Sequence, residues 1–468
     1  MNKFKLILGF SFWFLLTAVA CNRDEINFEM PSQLLRFSSD TVFCDTVYNQ
    51  VRSETYAVTI YNDEDKDVMI PKISLEKGAA SLYRINVDGK AGTDFNNIPL
   101  RKKDSLYIFV EIAPIANAPE AIAEDRVNVE TPAGKQHVTL FSVVQDAEFF
   151  IETKTNPNIL ANNTSWENSK AKIIFGNLTL AEGKSLNIQP GTNVVFYKNS
   201  GIKISKNSTL TVNGKLGAEV VFRGLTADRF DSNYEEALLP LNWNSIYFEE
   251  NSTLNMNYAK IFGGTSGLIF QQIKEATINN TIIHSFQDYG IYSVNSKITA
   301  NNLVTNSCGS ASIGIFKGGN INFTHCTLAN YWFVKSGLPQ QVIYASNQWK
   351  SKNGALEYAP LNLNVFNSIV YGNTDNTITF NKSDGQTFNT NFYYSLIQNS
   401  NPNINLNTNS NILNQDPKFQ NYYTKKMNLR VKDDSPAKGK GNVTVAASVP
   451  TDIVGVSRTA SPTIGAYQ

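Results

Sequence analysis

Apolar and polar residues alternate with a period of two from about residue 31 to residue 150. Tyr56, Val58 and Ile60 are interleaved with Ala57, Thr59 and Tyr61. Leu106, Ile108, Val110 and Ile112 are interleaved with Tyr107, Phe109 and Glu111. Tyr83, Ile85 and Val87 run into the turn pair Asp88-Gly89, and Val127 and Val129 precede Thr131-Pro132-Ala133-Gly134, after which Val138 and Leu140 resume. Such segments read as half-buried strands joined by tight turns. No segment carries a sustained helical period with caps. Roughly seven strands in this stretch predict a β-sandwich over 31–150, immunoglobulin-like in class. Domains of that kind act as spacers or binding modules, and no residue in this one suggests catalysis.

Beyond residue 151 the pattern changes to a repeat. Its unit is an apolar pair beside Asn, Ser or Thr. It recurs in Asn257-Tyr258-Ala259-Lys260-Ile261, Asn280-Thr281-Ile282-Ile283, Asn302-Leu303-Val304, His325-Cys326-Thr327-Leu328, Asn367-Ser368-Ile369-Val370 and Tyr394-Ser395-Leu396-Ile397. With Ile261, Ile283, Val304, Leu328, Val370 and Ile397 as equivalents, the gaps are 22, 21, 24, 42 and 27. A period near 22 with strands and no helices predicts a parallel β-helix. The gap of 42 is two coils of 21 or one coil with an insertion. A leucine-rich repeat has a similar period, but its Leu-x-x-Leu-x-Leu frame is absent.

The repeat explains the abundant Asn. Successive coils lie about 4.8 Å apart, so equivalent side chains stack. Inward stacks of Ile, Val and Leu form a narrow core. Asn at the corners bonds its neighbour above and below and tolerates left-handed backbone. About ten to twelve coils would give a stack about 50–60 Å long. Its two ends require caps. Two stretches, 228–240 and 332–360, break the period and read as lateral loops. Loops on a regular scaffold are where binding sits, so Tyr234, Trp243 and Trp349 are the candidate ligand contacts. The plainer reading of both stretches is variable decoration.

The N-terminus reads as an address. Lys3 and Lys5 precede an apolar run, Leu6 to Ala20. At about 1.5 Å per residue that run is too short to cross a hydrocarbon core of about 30 Å, and it fits a signal peptide. Ala18-Val19-Ala20-Cys21 resembles a bacterial lipobox, which makes Cys21 the expected lipidation site. The alternative is an ordinary signal peptide with a chance Cys. A multiply acylated Cys anchors stably, since each buried CH₂ contributes about 0.8 kcal/mol. Arg23-Asp24-Glu25 resembles the charged tether of surface-exported lipoproteins of Bacteroidota. The expected organisation is a lipoprotein signal peptide at 1–20, a lipidated tether at 21–30, the sandwich at 31–150, the β-helix at 151–420 and a C-terminal cap at 421–468.

Composition narrows the partners. Lys plus Arg number 41 and Asp plus Glu 40, so a nucleic-acid partner held by bulk positive charge is not expected. Apart from Cys21, only Cys44, Cys308 and Cys326 remain, an odd number with no CxxC. With His137, His284 and His325 the only imidazoles, neither a metal site nor a cofactor is expected. Neighbouring strand residues point to opposite faces, so Cys326 is expected inside and His325 on the surface.

The arrangement resembles a family of Bacteroidota surface lipoproteins with an N-terminal immunoglobulin-like domain and a right-handed parallel β-helix of the pectate-lyase-like class. The opening coils of that family resemble Leu186-x-Ile188-x-Pro190-Gly191-Thr192, Val195-Phe196, Gly201-Ile202, Leu210-x-Val212-x-Gly214 and Val220-Val221-Phe222. The closing segment of many β-helix repeat proteins resembles Asp416-Pro417-Lys418-Phe419, Leu429, Ser435-Pro436-Ala437, Asp452-x-x-Gly455-x-x-Arg458 and Ile464-Gly465-Ala466-Tyr467. Thr463 and Gln468 stand where that segment commonly carries acids, which puts a terminal salt link in doubt. The resemblance implies architecture and an outer-membrane, cell-surface location. It does not imply an activity.

Many parallel β-helices cleave polysaccharides, so their chemistry is the natural comparison. Asn373-Thr374-Asp375 matches the first element of the hydrolases of this fold, but no Asp-Asp pair or Gly-His-Gly follows it on the next coils. Hydrolysis needs two carboxylates held about 5–10 Å apart. His284 and Asp288 are the one His–acid pair within a coil, and Asp433-Asp434 lies in the terminal segment. No catalytic residue is therefore nominated. Three functions stand: a non-catalytic rod presenting a glycan- or protein-binding face, which is favoured; a polysaccharide lyase or glycoside hydrolase; and a structural member of an outer-membrane complex.

Overall fold

The computed structural model describes residues 27–468 apart from 116–119, 156, 226–238, 333–336, 352, 405, 407–408, 423–426 and 459. The signal peptide, Cys21 and Tyr234 lie outside the described residues. The chain divides into two compact units, 1–145 and 146–468. At this length three domains would be ordinary. A repeat core that lengthens rung by rung keeps 323 residues, 146 to 468, in one unit.

The first unit has ten strands in two five-stranded sheets among the described residues. One sheet runs in the order Arg36–Phe37, Tyr56–Tyr61, Ser105–Ile112, Tyr83–Val87, Lys90–Gly92, and every pair is antiparallel. The other runs Thr41–Tyr48, Gly134–Gln145, Glu120–Thr131, Val68–Leu75, Asp94–Leu100, with its first pair parallel and the rest antiparallel. The alternating positions read from the sequence, Val58, Ile60, Ile85, Val87, Ile108, Val110, Val127, Val129, Val138 and Leu140, all lie in one core that both sheets share. The count exceeds seven because short edge strands such as Lys90–Gly92 bury nothing fully and carry no alternation.

The second unit is a coil of parallel strands. Its first wall is an eleven-stranded sheet, here numbered rungs 1 to 11. It begins at Ala147–Ile151 and ends at Ile412–Leu413. Phe149 and Phe150 thus belong to rung 1, ahead of the expected boundary at 151. The second and third walls form one sixteen-stranded sheet, joined where Tyr289–Asn301 and Ala311–Thr324 run through both. The inward column of the first wall reads Val194, Phe222, Ile261, Ile283, Thr305, Leu328, Val370, Ile397. Two details correct the sequence register. Thr305, not Val304, occupies the inward place, and Val304 pairs Ile282 on the other face. The gap of 42 is one rung with insertions, since Leu328 pairs Val370 directly.

The corner before each first-wall strand explains the repeat's polar residue. Tyr258, Asn280, Asn302, His325, Asn367 and Tyr394 all have left-handed backbone, with φ from 46° to 55°. Asn and a few others tolerate that region. Asn302 Nδ2 donates to Asn280 Oδ1 at 2.8 Å, and beside it Asn301 Nδ2 donates to Asn279 Oδ1 at 3.0 Å. This is the amide ladder expected from stacked equivalent positions.

The ends of the coil are closed by different means. At the start, Lys172 stands in the inward column beside Val194, and its ammonium reaches Glu148 at 2.8 Å. At the finish, Ile404 and Leu406 join the interior core. The terminal segment is not a lid across that end. Ala437, Ile453, Ile464 and Ala466 pack against Val304, Ala329, Ile369 and Leu396, the outward side of the first wall. The segment is a strap laid along several rungs.

Candidate functional site

Of the three nominated aromatics, Trp243 is a core residue. It is fully buried, stacks on Phe196 at 4.3 Å and 8°, and donates from Nε1 to the Phe262 carbonyl at 2.9 Å. The ring fills the volume left by Gly264, where a Cβ would stand 2.9 Å from Trp243 Cε2. It offers no surface to a ligand. Trp349 is different. It lies half-buried on a small antiparallel hairpin, Gln348–Lys350 with Leu356–Tyr358, and donates from Nε1 to the Tyr292 hydroxyl at 3.0 Å.

That contact leads to the most distinctive surface of the second unit. On the outward side of the second wall, residues in register on rungs 4 to 8 are Tyr247, Ile269, Tyr292, Gly314 and Tyr344. Phe316, two residues past Gly314, stacks on Tyr292 at 4.6 Å and lies 5.1 Å from Tyr344. Tyr289 packs edge-on against Tyr292 at 5.2 Å and against Phe316 at 5.9 Å. Gly314 permits this, because a Cβ there would stand 2.7 Å from Tyr289 Cδ1. Every one of these rings is half-buried, so each is fixed by its neighbours and keeps part of its surface in water. Asn381 Nδ2 donates to the Tyr344 hydroxyl at 3.1 Å.

The ridge is electrically quiet. Lys203 pairs with Glu249 at 2.9 Å, and Lys317 pairs with Glu357 at 2.6 Å while bonding Gln272 Oε1 at 3.3 Å. Lys350, next to Trp349, lies over Gly354 of its own hairpin. Partial burial raises the carboxyl pKa of Asp288, and it raises those of the Tyr247, Tyr289 and Tyr292 phenols, which stay neutral at ordinary pH.

No catalytic pair emerges among the described residues. In Asn373-Thr374-Asp375, Asn373 Nδ2 donates to the Trp332 carbonyl at 3.1 Å and Thr374 Oγ1 donates to the Asn376 carbonyl at 3.2 Å, so the tripeptide is a turn tied to the preceding rung. Gly385 after Asp384 has φ +85°, also a turn. Asp434 pairs with Lys418 at 2.7 Å. His284 stacks on Phe262 at 5.0 Å, its Nδ1 lies 2.9 Å from Ser285 Oγ, and burial pushes its pKa down to about 4. No group of three or more His, Cys, Asp or Glu side chains capable of holding a metal occurs among the described residues.

His325 is buried, contrary to the surface position expected for it. The two-face rule itself holds: Cys326 joins the interior core and His325 points outward. The strap from more than a hundred residues downstream covers that outward face. Cys44, Cys308 and Cys326 are buried, and none of them forms a disulfide among the described residues.

The ridge tyrosines escaped the sequence reading. Their column has offsets of 22, 23, 22 and 30, which becomes legible only once the first-wall repeat is extended to its neighbouring wall.

No family model matches the chain, and no curated protein matches it. Among solved structures it is similar to a family 123 glycoside hydrolase from Clostridium perfringens, at 9% identity and TM-score 0.18, over 24% of this chain and 27% of that one. It is similar to the VesB protease of Vibrio cholerae at 8% identity and TM-score 0.17, over 24% and 31%. It is also similar to the E. coli chaperone DraB at 14% identity and TM-score 0.18, over 26% and 58%. The chain thus spans roughly a quarter to three-fifths of these structures, and likenesses this weak carry no argument. What the geometry defines is an all-β protein with a parallel β-helix.

Proposed function

We propose that this is a non-catalytic lipoprotein of the outer membrane, held by a lipid on Cys21, whose β-helix presents the tyrosine ridge to a glycan or a surface protein. The helix is taken as right-handed, since parallel crossovers almost always are. The first unit is taken as an immunoglobulin-like spacer between lipid and coil, and the Bacteroidota surface lipoproteins are the family to which we assign the chain.

The observation that carries this reading is the ridge itself. A run of half-buried aromatics flanked by paired charges supplies rigid stacking surface at little entropic cost. It supplies no general acid or base. Binding of the full-length protein to a glycan array, lost in Trp349→Ala and Tyr292→Ala, is the expected result. Release of unsaturated or reducing ends from a polysaccharide panel would instead make it an enzyme. For the anchor, Cys21→Ser is expected to abolish labelling by a fatty-acid probe and to free the protein from membranes.

A further inference from the structure

We infer that the ridge binds a linear, neutral polysaccharide lying along the helix axis and stacked on Tyr247, Tyr292 and Tyr344. The inference rests on the ridge being a binding face and names its ligand class. The three tyrosines occupy rungs 4, 6 and 8 of one registered column; Ile269 stands between the first two, and between the last two Gly314 makes room for the Tyr289 and Phe316 rings, which pack against Tyr292 and, for Phe316, Tyr344. Adjacent parallel strands lie about 4.8 Å apart, so consecutive tyrosines stand about 9.6 Å apart along the axis. That interval is about the length of one disaccharide in an extended β-linked chain. In such a chain alternate sugars turn the same face outward, so one sugar in two can lie against the part of each tyrosine that its neighbours leave exposed. The site is a straight track rather than a pocket.

The flanking residues select the chemistry. Lys203 and Lys317 are committed to Glu249 and Glu357, and burial favours the uncharged carboxyl of Asp288. Within the tyrosine column a chain of uronates would find no unpaired cation among the described residues; Lys350, exposed beside Trp349, is the nearest one at its edge. A neutral sugar finds apolar faces for its C–H groups. It also finds polar groups beside them: the Tyr344 hydroxyl with Asn381, and the Tyr292 hydroxyl with the Trp349 indole. Trp349 bounds the track on one side. A protein partner would bring charged side chains to a strip that offers them nothing.

The test is calorimetric titration of the full-length protein, in detergent, with cello- and N-acetylchito-oligosaccharides of increasing length, and with oligogalacturonates as acidic probes. Affinity is expected to rise from disaccharide to hexasaccharide in a neutral series and then level off. Each of Tyr247→Ala, Tyr292→Ala and Tyr344→Ala should weaken hexasaccharide binding roughly tenfold, as loss of one stacking contact does. Thermal melting is the check that these outward variants stay folded. Binding that ignores chain length, binding untouched by the tyrosine changes, or preference for oligogalacturonate overturns the inference. If no sugar binds but a photocrosslinker at Ile269 captures a protein on intact cells, the polysaccharide fails and the binding face stands. If neither occurs, both readings fall.

Discussion

His325 Nε2 accepts a hydrogen bond from Asn367 Nδ2, 2.9 Å away on the next rung, while His325 Nδ1 lies 3.3 Å from the Gly465 carbonyl of the strap. The two contacts define one tautomer: Nδ1 carries the proton and Nε2 is bare. A second proton on Nε2 would point at the amide NH₂, a donor, and Arg458 nearby adds repulsion. Burial, then Arg458, push the pKa down to about 3.

The pH dependence follows from that. The folded pKa lies below the unfolded value of about 6.5, so the unfolded chain binds the proton first and stability rises with pH between those values. The contribution is complete above about pH 6.5, declines as pH falls, and is gone near pH 3. His284, down to about 4, adds to the same slope. His325→Asn places at this corner the residue found at Asn280, Asn302 and Asn367. Urea unfolding at neutral pH and at about pH 4 is expected to show a smaller acid loss in His325→Asn than in the parent, by an amount on the order of a few kcal/mol. Equal losses would mean that His325 titrates normally.

Arg458 holds the strap to the coil. It is fully buried, donates to Asn302 Oδ1 at 2.9 Å, and reaches the carbonyls of Val449, Thr451, Gly465 and Ala466. Asp452 Oδ1 accepts from the Val454 and Val456 amides at 2.9 and 2.7 Å, and Asp452 Oδ2 accepts from the Gln468 amide at 2.8 Å. Where Thr463 and Gln468 put a terminal salt link in doubt, Gln468 Oε1 accepts from the Thr463 amide at 2.9 Å. Arg458→Met takes the donor from the Val449 carbonyl and Asn302 Oδ1 and one of two donors from the Thr451, Gly465 and Ala466 carbonyls, and should cost about 3 kcal/mol. Limited proteolysis should then cut within 437–468 at conditions that spare the parent.

Thr305 interrupts the apolar column between Ile283 and Leu328, and its buried hydroxyl has no partner among the described residues. Thr305→Val keeps the shape and removes the stranded oxygen. A gain of about 1 kcal/mol in denaturant unfolding is expected. A loss would mean that the hydroxyl is satisfied by water.

Much of this was legible in the sequence where the cause is local. The Ile261–Ile283 register and the left-handed Asn corners follow from a period that neighbouring rungs share. The Val304 slip arose because apolar residues were assumed to face inward, whereas the strap makes both faces of that wall apolar. Trp243 and His325 could not be sorted into surface or core without knowing what covers them, and in each case the cover is distant in the chain. The ridge was hidden for a related reason. Insertions between Gly314, Tyr344 and Thr379 widen the offsets to 30 and 35, which blurs the period on that wall while the strands stay in register.

Gly314 is where fold and ridge can be separated from one another experimentally. Its φ lies outside the left-handed region that only glycine favours, so the backbone accepts Ala. The added Cβ would meet Tyr289 Cδ1 at 2.7 Å and Phe316 Cε2 at 3.1 Å, so the Tyr289 ring must swing off the column. Overpacking of this kind costs roughly 1–3 kcal/mol in a well-packed interior, and less where a half-buried ring can move into solvent. Gly314→Ala is therefore expected to lower the melting temperature slightly, to change the near-ultraviolet circular dichroism of the tyrosines, and to weaken oligosaccharide binding more than it weakens the fold. If binding and aromatic dichroism are both unchanged, Tyr289 does not lie across Gly314 and the packing of the ridge is other than described.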